Sequence, residues 1–213
     1  MTIMTKTTSK HLNDEQEALI REAVKQAESG TSGEIAPMLV AESDDYREAA
    51  VHFAMIMATL LALIAGLISH DTSVWLFIPL TFIFYLPLLA LALRLPSLKL
   101  AFTPTARVRA IVQQRAVRAF HEKGLHRTRE ENGILIFISL LERKVWILGD
   151  RGINKVIPPE RWSALASALA VGIREGRMVD TLVTTITEVG DILKQHFPHR
   201  KDDSNELPDL IEE

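Results

Sequence analysis

Val51–Ser69 (VHFAMIMATLLALIAGLIS) and Ser73–Leu93 (SVWLFIPLTFIFYLPLLALAL) contain no Asp, Glu, Lys or Arg, and three residues, His70-Asp71-Thr72, join them. At 19 and 21 residues, each run can cross about 30 Å of hydrocarbon at ~1.5 Å rise per residue. The short link predicts a tight antiparallel helical hairpin. Pro79 and Pro87 fall inside the second run. They would be costly in a water-soluble helix and are tolerated in a spanning one, where neighbouring groups re-satisfy the freed carbonyls. The alternative is the core hairpin of a soluble protein. It needs apolar cover on every face, and the roughly 165 residues outside the hairpin suffice for only one modest core.

The flanks predict orientation. Arg94, Lys99, Arg107, Arg109, Arg115 and Arg118 follow the second run with no acid before His121, while the link carries neither Lys nor Arg. Basic flanks stay in the cytoplasm. The expectation is therefore a multi-pass protein of a bacterial inner membrane, with both termini and the soluble part cytoplasmic and the lipid bilayer as a partner. The N-terminal MTIMTKTTSKHLNDEQ has no apolar stretch of a secretory signal, so insertion is expected to rest on the hairpin. A transporter is disfavoured because no ionisable residue lines the spans beyond His52 at one edge.

Composition excludes more. The chain has 24 basic and 27 acidic residues and a net charge of −3, which argues against nucleic acid as a partner. It has no cysteine, so thiolate metal sites, disulfides and cysteine nucleophiles are ruled out. The EF-hand, P-loop and Gly-x-Ser-x-Gly patterns are absent, and no Ser/His/Asp set is legible.

Outside the hairpin the periodicities alternate between helix and strand. Residues 1–11 are polar and expected to fray. Asn13 is a fair N-cap for a helix over Asp14–Glu28, whose Leu19, Ile20, Ala23, Val24 and Ala27 fall on one stripe. Glu34–Ala41 reads as a short strand, with Pro37 pointing to an edge or a bulge. A second helix runs from near Pro104 to Lys123, with Gly124 as C-cap. Ile134–Leu140 (ILIFISL) has the continuous apolar character of a central strand. Lys144–Gly149 returns antiparallel, and Asp150–Asn154 reads as a loop. Pro158 and Pro159 open a third soluble helix, Gly176 stops it, and Met178–Phe197 forms a fourth. Residues 198–213 are expected to be a disordered tail.

This order, with Thr31-Ser32-Gly33-Glu34-Ile35, Gly124-Leu125-His126-Arg127, Asn132-Gly133, Arg151-Gly152-Ile153 and Arg174-Glu175-Gly176, resembles the TPM-domain family. The resemblance covers Leu12–Ala50 and Thr105–Phe197. It implies an α/β fold in which helices sandwich a small mixed sheet, here one domain of residues 12–50 and 105–197 split by spans at 51–69 and 73–93. Three features depart from the family's pattern. Its members often carry a signal peptide and a C-terminal anchor, an Asp where Glu131 stands, and Gly-Tyr-Gly where Asp150-Arg151-Gly152 stands.

A crossover through the second helix makes the first two long strands parallel. The starts of those strands and the end of the third therefore share one rim. Glu34, Glu131, Asn132 and Asp150 offer oxygen ligands there for Ca²⁺ or Mg²⁺, with Glu130 alongside. Arg127, Arg129 and Arg151 could hold a phosphate bidentately. Metal-dependent phosphomonoester hydrolysis, proposed for some members of the family, is the enzymatic reading. The rival is that these groups make ordinary ion pairs, in a membrane-anchored interaction or scaffold module for membrane-protein maintenance or assembly. The histidines, including His121 and His126 five apart, show no ligand spacing and read as solvated or interfacial. Trp75 is expected at the membrane interface, and Trp146 and Trp162 in or over the core.

Overall fold

The computed structural model describes residues 12–70, 73–128, 131–199 and 209–212. The fraying expected for residues 1–11, residues 71–72 of the hairpin link, and Arg129 and Glu130 of the rim lie outside them. The described residues fall into two units, one combining the chain up to Ser43 with Val112 onward, the other Asp44–Ile111.

In the first unit, α1 (Asp14–Glu28) opens on a capping box. The Asn13 side chain accepts from the Gln16 N–H at 2.7 Å, and the Gln16 side chain accepts from the Asn13 N–H at 3.0 Å. Two of the four orphan donors of the first turn are thereby satisfied. A sheet of four strands follows, in the order β3-β2-β1-β4. β1 (Glu34–Val40) and β2 (Gly133–Ser139) run parallel over seven residues, from Glu34 opposite Gly133 to Val40 opposite Ser139. β3 (Lys144–Gly149) returns antiparallel to β2. Every residue of β1 and β2 is buried, as a continuous apolar run requires when both faces are covered.

One face, built from Ile35, Leu39, Ile134, Ile136, Ile138, Val145 and Ile147, shares a core with α1, α7 (Pro159–Arg174) and α8 (Met178–His196). Trp162 lies in this core, 3% exposed. Alternation sends Ala36, Met38, Leu135 and Phe137 to the other face, and all four are fully buried as well. α5 (Thr105–Glu122) supplies Val112, Ala116, Ala119 and Phe120 as its buried stripe, and Phe120 lines the same cleft as Leu148 of β3. The result is a helix–sheet–helix arrangement.

Buried polar groups fasten both ends of the sheet. At the end where β1 leaves, the buried Glu142 accepts from the Ser43 N–H at 2.9 Å and from the Ser139 hydroxyl. At the other end, the Thr31 hydroxyl donates to Phe197 O and Ser32 N–H bonds the same carbonyl at 3.0 Å, tying the Thr31-Ser32-Gly33 turn to the end of α8. Buried polar groups placed this way fix the register, because each one left unpaired carries a full desolvation cost.

Two expectations change. The tail is ordered at its end, where β4 (Ile211–Glu212) pairs parallel with Met38 and Leu39 and Leu210 is buried. An apolar Leu-Ile pair finds an open strand edge there, which outweighs the acidic composition around it. Residues 200–208 and 213 lie outside the described residues. Because β4 is so short, the outer side of β1 remains an edge where Pro37 stands, consistent with the missing N–H. Asp150–Asn154 is not a plain loop: α6 (Arg151–Asn154) is a single turn capped by Asp150.

The second unit holds α2 (Arg47–Ser69), α3 (Val74–Arg94) and α4 (Pro96–Ala101), a short helix. α2 and α3 are long and apolar enough to cross a membrane. They pack together as a hairpin, with Ala50 and Phe53 of α2 meeting Ala92 of α3. Ala50, Ala54, Ala58, Ala62 and Gly66, one every fourth residue, form the buried stripe of α2. Small residues at that spacing let two backbones approach closely without relying on the hydrophobic effect. The bulky residues face outward: Ile68, Phe82, Ile83 and Leu86 are exposed, and Trp75 is 90% exposed.

Replacing Ile136, fully buried at the middle of β2, by Ala is expected to destabilise the sheet unit by about 2–5 kcal/mol through lost burial and a residual cavity. Chemical denaturation of wild type and Ile136→Ala, each in detergent, measures the difference.

Candidate functional site

The strand topology brings most of the rim together as expected. Glu34 starts β1, and its N–H donates to Asn132 O at 3.3 Å. Asp150 follows β3, and its N–H donates to Gly133 O at 2.8 Å. Glu34, Asn132 and Asp150 thus flank the first residue of β2. Gly133 itself tolerates no side chain, because a Cβ there would lie 2.7 Å from the Leu125 carbonyl oxygen.

Each rim group then has its own task. Asn132 is buried, receives the Thr128 hydroxyl oxygen on its N–H at 3.1 Å, and donates its amide to Ser32 O. Glu131 adopts a left-handed conformation, φ 55°, and its carboxylate lies 3.6 Å from Lys155 Nζ. Asp150 caps α6 by accepting from the Arg151 N–H at 2.7 Å. The side chains of Arg127 and Arg151 are exposed. Among the described residues, no three His, Cys, Asp or Glu side chains gather as a metal-holding group. Ca²⁺ takes about six to eight oxygens at roughly 2.3–2.6 Å. Glu131 faces Lys155, and Asn132 turns its amide donor toward Ser32.

The enclosed space lies beside the rim. A cleft of about 720 Å³ is lined by Val117, Phe120 and His121 of α5, His126, Leu148 and Gly149 of β3, and Asp150, Arg151, Asn154 and Lys155. Its two histidines escape a reading by helical spacing, because α5 ends between them. Gly124 takes φ 78°, a left-handed conformation that glycine adopts without steric cost, and the chain folds into a 3₁₀ turn over Leu125–Arg127. That reversal returns His126 to His121, with ring centroids 5.1 Å apart. His121 Nδ1 is 2.8 Å from Val117 O, one helical turn back. His126 Nδ1 and Asp150 Oδ2 are buried with no hydrogen-bond partner among the described residues. The signal in the sequence was Gly124 itself: a C-cap glycine followed two residues later by a second histidine marks a return, so five residues need not mean opposite faces.

Residues 99–192 match the family model described as the TPM domain. That stretch is similar to the TPM domain. α1 and β1, which complete the sheet unit, precede the matched stretch, as does the α2–α3 hairpin. Among solved structures, the chain is similar to the BA42 protein of the psychrophilic bacterium Bizionia argentinensis, determined by NMR, at 22% identity over the full length of both chains and a TM-score of 0.59. This likeness shows the fold. No curated protein matches the chain.

Asn132 is predicted to be structural within the sheet unit. Asn132→Ala leaves the Ser32 carbonyl without its donor in a buried setting and is expected to cost about 1–3 kcal/mol. A thermal melt compared with wild type measures it.

Proposed function

We propose that the protein is a membrane-anchored TPM interaction module serving membrane-protein maintenance or assembly, held at the cytoplasmic face of a bacterial inner membrane by the α2–α3 hairpin. The observation behind the interaction reading is that the rim groups are individually engaged: Glu131 with Lys155, Asn132 with Ser32, Asp150 with the start of α6. Groups committed to holding the fold are not poised for transfer chemistry, which needs donors converging on a reacting atom. The basic run Arg94–Arg118 supports the orientation, since Lys and Arg next to spans resist export. A membrane-protein partner fits a domain tethered within a few residues of the bilayer. Assaying the purified full-length protein with a phosphomonoester and millimolar Mg²⁺ or Ca²⁺ tests the reading. No turnover above background is expected, and sustained metal-dependent hydrolysis would overturn it.

Orientation is tested separately, helped by the absence of native cysteine. Ser73→Cys, at the start of α3, is expected to react with an impermeant maleimide in intact spheroplasts. Ser163→Cys, exposed on α7, should react only in inverted vesicles. Labelling of Ser163→Cys in spheroplasts would reverse the topology.

A further inference from the structure

We propose that His121 and His126 chelate a first-row transition-metal ion, Zn²⁺ or Cu²⁺, in the cleft between α5 and β3. This site is distinct from the oxygen set of the rim in ligand chemistry, and goes beyond the interaction reading. The spacing fits the ion. A nitrogen ligand lies about 2.0–2.1 Å from Zn²⁺, which puts each imidazole centre roughly 3.2 Å from the metal. Two rings at a tetrahedral angle then have centres about 5.2 Å apart. The observed separation is 5.1 Å.

The tautomer fits as well. His121 Nδ1, 2.8 Å from the Val117 carbonyl, must carry the proton to make that bond, since a carbonyl only accepts. Nε2 is left with its lone pair for a ligand. A backbone carbonyl orienting the second ring nitrogen is the support that metal-binding histidines ordinarily have. His126 contributes a buried Nδ1 with no partner among the described residues, and Asp150, on the same cleft wall, contributes a buried Oδ2 in the same condition. A cation between the two rings gives His126 Nδ1 a counterpart, and the carboxylate on the same wall offsets its charge. The neighbouring positive charge is partly offset, because Lys155 is paired with Glu131.

Neutral imidazole favours Zn²⁺, Cu²⁺ and Ni²⁺ over Ca²⁺ and Mg²⁺, which prefer oxygen. Among the described residues no third acidic or histidine side chain completes a three-ligand group, so water fills the remaining positions.

The test uses full-length protein in detergent, purified without a histidine tag. Competition with a chromophoric chelator should show one Zn²⁺ bound per chain, unaffected by millimolar Ca²⁺ or Mg²⁺. His121→Gln and His126→Gln should each weaken binding at least about tenfold, while His196→Gln at the end of α8 should match wild type. Electron paramagnetic resonance of the Cu²⁺-loaded wild type should show two coordinated nitrogens, a readout that holds even if a variant folds poorly. Absence of stoichiometric Zn²⁺ binding, binding equal in wild type and both cleft variants, or fewer than two nitrogens on Cu²⁺ would overturn the proposal.

Discussion

The parallel pairing of β1 with β2 is the constraint on which the sheet unit depends. Seven residues on each side, all buried, are drawn from segments that the hairpin separates. Parallel strands cannot be joined by a tight turn, so a long crossover is required. Here that crossover contains α2, α3, α4 and α5. Closing it is less expensive than its length suggests, because closure entropy grows only logarithmically and Ala50 and Ala92 bring the two ends of the hairpin side by side. Once β1 is seated on β2, everything else at the sheet finds its place. β3 folds back on the far side of β2, the Thr31 turn docks on Phe197, and β4 takes the outer edge of β1.

The hairpin obeys different physics. Its helices meet along alanines and a glycine of α2, and they turn leucines, isoleucines and phenylalanines outward. In water that arrangement would leave large apolar areas unburied, at about 25 cal/mol per Å². In lipid it is the natural choice, because close backbone contact replaces the hydrophobic effect as the source of association. The two units thus use opposite rules for where bulky side chains go, and the change occurs between Ser43 and Arg47. Tyr46 marks it with a left-handed φ of 48° just before α2 begins.

Much of this was legible because the signals were strong and local. The Asn13 cap, the two-sided apolar run Ile134–Leu140 and the Pro158-Pro159 helix start each have one physical reading. What escaped depended on contacts distant in sequence or on geometry beyond a helix end. β4 is two residues paired with an edge that composition does not reveal. The small-residue stripe of α2 was in plain view as a four-residue period, yet hydropathy alone hides it. Glu142 holds Ser43 and Ser139 through contacts that no local pattern in the sequence marks. For the candidate site, the shared rim of Glu34, Asn132 and Asp150 followed from strand direction, whereas the partner of each side chain did not. His121 and His126 were separated by a helical-wheel count that stops applying once Gly124 reverses the chain.

Hydrogen exchange followed by mass spectrometry or NMR on the full-length protein in detergent reaches the central claim directly. If β1 and β2 form one cooperative sheet across the inserted hairpin, the amides of Ile35–Val40 that bond β2 and those of Ile134–Ile138 will exchange together, among the slowest in the chain and by global unfolding. Exchange of the β1 amides orders of magnitude faster than those of β2, with β2 and β3 still protected, would contradict the account, because it would mean that the segment before the hairpin is not part of the folded sheet.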